Sequence, residues 1–333
     1  MENNIKPKVS VVIPIYNREK VIEPCLRSLF EQTLSAIEYI FVDDGSNDRS
    51  IEVLKNILNN YPIRKNWVKI ICLPVNKGVA VARQIGIEHA TGDYIIHCDT
   101  DDWIDLDTYE QLYTKAIEEG ADIVGCSIRH EYTNYHRDLH QSYANTVEEN
   151  IRNLLLGTIF PSLCTSLTRL TLISDNHITF PEGLNVGEDL LFNMQLYLKA
   201  KKITGIDAPF YHYTHTAVSV SEGKATLQSI YSCAEVGRRV KQLASEAGYG
   251  EKFAKEIAFR RFTLKFSLVR HFRNDENYKT WLTIAPETHQ YIWQFKQYDW
   301  KLRLMLWLAA HKMMPVAQVL QKTINWQNMI RRP

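Results

Sequence analysis

The chain reads as an α/β protein, with a mostly parallel, Rossmann-like sheet followed by a mainly helical C-terminal region. Three observations predict this. From Val9 to about Tyr132, short β-branched or aromatic runs alternate with stretches of helical apolar spacing. Polar residues recur at the carboxyl ends of those runs, and after Ser221 the apolar spacing is almost purely helical.

Taken in order, Val9–Ile15, Tyr39–Val42, Val68–Leu73, Tyr94–Cys98 and Ile123–Ile128 are expected strands, because each is a compact apolar run bounded by turn residues. Between them Glu19–Gln32, Asp48–Asn60, Val79–Ala90 and Asp107–Glu119 carry helical periodicity, with Asp48 and Asp107 as expected N-caps. Tyr132–Asn145 is rich in Tyr, His, Asn and Asp and reads as a loop, whereas Val147–Ser221 is mixed. Long helical stretches follow over Lys224–Glu246 and Lys252–Phe272, then a basic, Trp-bearing portion from Trp300 to Trp326. The expected division is therefore 1–221 and 222–333.

The 333 residues are 45% hydrophobic, enough to bury a substantial core. With 39 basic and 38 acidic side chains the net charge is +1, so no global field draws the molecule onto nucleic acid. Six cysteines fall in mostly apolar stretches without a CxxC pair, which argues against a zinc or disulfide scaffold. Met1 to Lys8 lacks the apolar core of a secretion signal, and no run reaches the ~18 to 20 apolar residues that span a bilayer. A cytoplasmic protein is the expectation.

The strongest chemical signal is Asp99-Thr100-Asp101-Asp102, directly after Tyr94-Ile95-Ile96-His97-Cys98. Carboxylates crowded at a strand end raise one another's pKa unless a cation is present, and hard oxygen ligands suit Mg²⁺ or Mn²⁺. In an open parallel sheet the carboxyl edge is also where ligands bind. Taken alone, a DxD reads first as a solvated acidic turn with a helix cap, since the motif is short enough to recur by accident.

Its context is more specific. Lys8-Val9-Ser10-Val11-Val12-Ile13-Pro14-Ile15-Tyr16-Asn17, Phe41-Val42-Asp43-Asp44-Gly45-Ser46, Asn76-Lys77-Gly78-Val79-Ala80-Val81-Ala82-Arg83, and Ala90-Thr91-Gly92-Asp93-Tyr94-Ile95 lead in order to the acidic motif, and Gly187-Glu188-Asp189 follows. In order and spacing this resembles family 2 glycosyltransferases over about two thirds of the chain, which implies the A-type nucleotide-diphospho-sugar transferase fold. The resemblance implies that Pro14, Tyr16 and Arg18 line the nucleotide pocket and that Asp44 accepts a hydrogen bond from the uracil imide. It places Lys77 and Arg83 at donor contacts, Asp99 at the ribose or metal, and Asp101 on a Mn²⁺ or Mg²⁺ bridging the diphosphate. Asp189 corresponds to the general base. His212 stands where related enzymes bring a side chain to the diphosphate or metal, with an ordinary packed histidine as the alternative. Gln84 and Thr214 depart from the residues frequent in the family.

The implied activity is inverting, metal-dependent transfer of a sugar from a nucleotide-sugar donor, in the first instance a UDP-sugar, to a hydroxyl of a glycan or lipid-linked acceptor in polysaccharide biosynthesis. A nucleotidyltransferase or a non-catalytic sugar-nucleotide-binding scaffold are the alternatives. Trp300, Lys301, Arg303, Trp307, Lys312, Lys322, Trp326, Arg331 and Arg332, around the apolar run Leu302–Ala310, suggest peripheral membrane contact, with a packed helix as the alternative.

Overall fold

The computed structural model describes residues 5–181, 183–184, 186–215, 227–271 and 275–323. Within them the chain divides into two compact units. The first holds the chain to Ile151, Phe160–Gly183 and the chain from Glu188 through the last strand, and the second holds Arg152–Ile159, Leu184–Gly187 and the later helices. The expected boundary at 221/222 lies outside the described residues.

The first unit is built on a nine-stranded sheet: β1 (Val9–Ile15), β2 (Ile37–Asp43), β3 (Val68–Cys72), β4 (Tyr94–His97), β5 (Trp103–Ile104), β6 (Ile123–Glu131), β7 (His136–Leu139), β8 (Ser166–Arg169) and β9 (Ile203–Thr214). Its helices are α1 (Ile22–Phe30), α2 (Ser50–Leu58), α3 (Val79–Glu88), α4 (Thr108–Glu119), α5 (Val147–Leu156), which runs on into the second unit, α6 (Leu170–Asp175) and α7 (Glu188–Lys199). The strand order is β3-β2-β1-β4-β8-β6-β9-β5, with β7 paired to β6. β1 pairs in parallel with β2 and β4, and β2 with β3, so their carboxyl ends share one edge. Continuous apolar composition suits strands covered on both faces, and all seven residues of β2 are buried.

The expected α/β architecture with parallel pairing at its centre is present, and the sheet is mixed rather than uniformly parallel. β8 runs antiparallel to β4 and β6, β7 to β6 and β5 to β9, while β6 and β9 are parallel. The hydrogen-bonding groups of short polar strands such as Ser166–Arg169 are satisfied by neighbours distant in sequence, which no local periodicity announces. Part of the expected loop 132–145 is likewise strand β7.

Glu38 is a buried charge inside β2, held there by its partners. It accepts from the Ser10 hydroxyl at 2.5 Å and the Thr91 N–H at 2.5 Å, and pairs with Lys69 at 3.0 Å. Burial works to raise its pKa, but these bonds outweigh burial and hold it below the ordinary range.

The second unit has its own core, in which Trp281, Phe262, Tyr298, Leu302 and Met305 are buried. Its helices are α8 (Leu227–Glu246), α9 (Ala254–Leu264), α10 (Asp275–Thr283), α11 (Trp300–Ala310) and α12 (Met314–Thr323). Among the described residues no helix is long and apolar enough to cross a membrane.

Candidate functional site

The loop after β1 and the loop after β2 are laced together before any functional side chain is considered. Asn17 donates its N–H to the Ser46 hydroxyl and accepts from the Asn47 N–H, while the Arg18 and Glu19 N–H groups donate to Ser50 and Asp48. Asp48 accepts from the Ser50 N–H, so it precedes the N-cap position, Arg49, rather than occupying it. Asp107 does stand at the N-cap of α4, but its side chain makes no capping hydrogen bond. Gly45 has φ +71°, and a Cβ there would lie 2.8 Å from the Asn76 nitrogen and the Val75 carbonyl carbon, so the loop after β3 packs directly on the loop after β2.

Asp44 binds these loops together. Its N–H donates to Ile15 O at 2.8 Å, and its two carboxylate oxygens accept from the N–H groups of Lys77, at 2.7 Å, and Gly78, at 2.8 Å. Each oxygen keeps a second lone pair. Pro14 lies within β1 opposite Val42, Tyr16 is exposed, and the Lys77 side chain is also exposed.

The acidic motif divides its three carboxylates among three surroundings. Asp99 pairs with Arg83 at 2.9 Å; burial works to raise it, but the charge and hydrogen bond of Arg83 outweigh burial and hold it below the ordinary range. Asp101 is 3.8 Å from Arg18, and burial raises it against the pull of that guanidinium. Asp102 accepts from the Tyr211 hydroxyl at 2.5 Å and the Thr214 N–H at 2.9 Å, and burial, with Asp99 nearby, pushes it up to about 8. The cluster is short of positive charge at Asp101 and Asp102.

Arg83 joins this cluster to α7. It is 4% exposed, and besides Asp99 it reaches Asp189 at 2.6 Å and Glu188 at 3.5 Å. Glu188 and Asp189 lie in the first turn of α7, where carboxylates complement the helix dipole. Burial pushes Asp189 up to about 7 against the opposing charge of Arg83, and Glu188 and Asp99 add to the rise. His97 behind Arg83 is pushed down to about 3 by burial and by that same guanidinium, so it adds no charge at neutral pH.

His212 departs from the metal-ligand expectation. Its Nδ1 lies 2.8 Å from Glu131 and its Nε2 3.0 Å from Asp105, and its ring stacks on Trp103 at 3.5 Å. Both ring nitrogens are thus engaged by carboxylates of its own neighbourhood, and the side chain is buried. Its neighbour Tyr211, which no motif marks, bonds Asp102. Strand alternation is the signal that separates them, because 211 and 212 must face opposite sides of β9.

The donor set fits a hard divalent cation held in an open site. Asp101 and Asp99 present carboxylate oxygens of the kind that Mg²⁺ or Mn²⁺ takes, one or two at a time, together with substrate phosphates. Among the described residues no three His, Cys, Asp or Glu side chains form a closed cation cage.

Comparison with known proteins bears on the family and the fold. The model of glycosyl transferase family 2 matches residues 10–175. EpsH of Bacillus subtilis, named as a glycosyltransferase, is 33% identical over 214 residues, covering 62% of this chain and 60% of EpsH. TarS of Staphylococcus aureus, a poly(ribitol-phosphate) beta-N-acetylglucosaminyltransferase, is 31% identical over 209 residues, which cover 62% of this chain and 35% of TarS. The aligned chain thus spans less than two thirds of either relative. The crystal structure of TarS 1–349 with UDP superposes with a TM-score of 0.71 at 23% identity, covering 95% of this chain and 90% of that one. A mannosyltransferase of Pyrobaculum calidifontis, in complex with GDP-Man and Mn²⁺, superposes with a TM-score of 0.53 at 14% identity over 97% of this chain and 88% of that one. At these identities the two superpositions establish a shared fold.

Proposed function

The chain belongs to glycosyl transferase family 2, and we propose that it transfers a sugar, with inversion, from a UDP-sugar to a hydroxyl of a glycan or lipid-linked acceptor in polysaccharide biosynthesis. The observation that carries this reading is Arg83, a single buried cation bonded both to the carboxylate ending β4 and to the one opening α7. It holds a donor-side and an acceptor-side acid within one guanidinium of each other.

In this reading Pro14, Tyr16 and Arg18 line the nucleotide pocket. Asp44 accepts the uracil imide proton on a remaining lone pair, while its bonds to Lys77 and Gly78 hold it still. Asp101, with Asp99, holds a Mn²⁺ or Mg²⁺ ion, which when bound stabilises the negative charge of a leaving diphosphate. The Lys77 side chain contributes a further cation to the donor. Asp189 takes the acceptor hydroxyl proton as the new bond forms, on the face opposite the diphosphate. The UDP complex of TarS supports the choice of base, its function as a polymer-modifying transferase supports the acceptor class, and the Mn²⁺ complex of the mannosyltransferase supports the cation.

We place the protein in the cytoplasm, peripherally on the membrane face. The six cysteines form no CxxC pair and no regular framework, a usage that suits a reducing compartment.

The test is a screen of UDP- and GDP-sugars with Mn²⁺, scoring the released nucleotide and the product mass. Release of UDP and inhibition by UDP well below the concentration of GDP required are expected, and Asp101→Ala should lose the Mn²⁺-dependent part of UDP binding in calorimetry. Release of pyrophosphate would overturn the reading in favour of nucleotidyl transfer, and equal inhibition by UDP and GDP would overturn the role of Asp44.

A further inference from the structure

A column of aromatic rings stands at the carboxyl ends of β6 and β9, apart from the residues assigned above. Tyr132 and Tyr135 close the β6–β7 hairpin, the Tyr132 N–H donating to Tyr135 O at 2.9 Å, and their rings stack at 4.5 Å with planes 14° apart. Tyr132 stacks in turn on His215 at 4.1 Å and 8°. His215 lies 5.1 Å from the His130 ring, with Nδ1 of His130 2.8 Å from Nε2 of His215.

The column is not core packing. Tyr135 is 62% exposed, and Tyr132, His130 and His215 are only half-buried. Its position is set by the acidic motif, because Asp102 grips the Thr214 N–H and His215 is the next residue, its own N–H donating to Glu131 O. The rings therefore begin one residue beyond the point at which the carboxylate cluster holds β9.

Stacked tyrosine and histidine rings offer a flat apolar face with polar edges. A pyranose is complementary to such a face, laying its C–H groups on the ring while its hydroxyls meet the hydroxyl and nitrogen edges. Such a ledge beside a carboxylate cluster suits a polymer, whose neighbouring sugars need a hold outside the reacting centre. We propose that the Tyr135–Tyr132–His215 column is a carbohydrate subsite that takes a pyranose ring of the acceptor on Tyr135. This rests on the glycosyl-transfer reading.

The experiment titrates chitotetraose, cellotetraose and maltotetraose into the full chain by saturation-transfer NMR, in the wild type, Tyr135→Phe and Tyr135→Ala, with UDP affinity and UDP release from the donor measured on the same samples. At least one tetrasaccharide should receive saturation at its C–H protons. Tyr135→Phe should retain that binding, and Tyr135→Ala should weaken it by about tenfold, the scale of one lost stacking contact, with UDP affinity unchanged. Absence of saturation with all three, or binding indifferent to Tyr135→Ala, would overturn the subsite, as would a parallel fall in UDP affinity, which would place the effect in the fold at large. A wild type that neither binds UDP nor releases it from any donor would instead overturn the transferase reading itself.

Discussion

Asp189 and Arg83 have to be considered as a pair, because the charge of one sets the basicity of the other. With Asp189 proposed as the base, the rise of its carboxyl towards about 7 makes it progressively less able to take the acceptor's proton as pH falls through neutrality. Transfer should therefore rise with pH and level off above about 7, measured as kcat/KM against pH. Asp189→Asn keeps the size of the side chain but removes the basic oxygen, and transfer should fall by roughly 10²- to 10⁴-fold while UDP affinity and thermal midpoint hold. Arg83 favours the ionised form across 2.6 Å, so Arg83→Lys, with a weaker and unforked cation, should move the rising limb to higher pH. A limb that stays in place in that variant would separate Arg83 from the titration.

At the scale of elements, the site depends on three loops at the carboxyl ends of β1, β2 and β3. Their interlocking hydrogen bonds leave no room for a side chain at Gly45, whose positive φ is an independent obstacle. Gly45→Ala should cost on the order of 1–3 kcal/mol in urea unfolding and lower UDP affinity, because the displaced backbone carries Asp44 with it. The parallel strands of this region were legible because two-sided burial writes itself as unbroken apolar runs, as in Val9–Ile15. β9 was not legible: its twelve residues include Gly205 and Pro209, and its register with β6 slips between Cys126 and Ile128. A strand interrupted in this way keeps a regular alternation only beyond the slip, over Tyr211–Thr214, too short a run to announce the whole element.

For the molecule as a whole, the helical unit presents a surface that sheet and site do not explain. On α11 Trp300, Arg303 and Trp307 recur at helical spacing and are less buried than Leu302, Met305 and Leu306, and Trp293 lies 6.5 Å from Trp307. Val316 and Val319 are exposed on α12. Lys296, Lys301, Arg303, Lys312 and Lys322 are opposed within that span by Asp299, whose side chain accepts from the Lys301 N–H at the start of α11. Trp326, Arg331 and Arg332 lie outside the described residues. Exposed tryptophan among cations suits an anionic lipid interface. The full chain should cosediment with phosphatidylglycerol vesicles at low salt and be released as salt rises, and Trp293→Ala with Trp300→Ala should weaken it. Absence of cosedimentation would leave these helices a packing role.

By itself the sequence determined the parallel half of the sheet, the order of the acidic motifs and the family, because these are written locally, in apolar runs that must be covered on both faces and in short motifs at strand ends. Only the tertiary structure decided which carboxylates share a cation. Asp99 and Asp189 are 90 residues apart in the chain and meet on Arg83, whereas Asp101, two residues from Asp99, is left to Arg18. It also decided that His212 is held by Glu131 and Asp105, while Tyr211 beside it reaches Asp102. The physical reason is that a side chain's charge state and partners depend on burial and on neighbours brought in from remote elements, and neither is encoded in the spacing of residues along the chain.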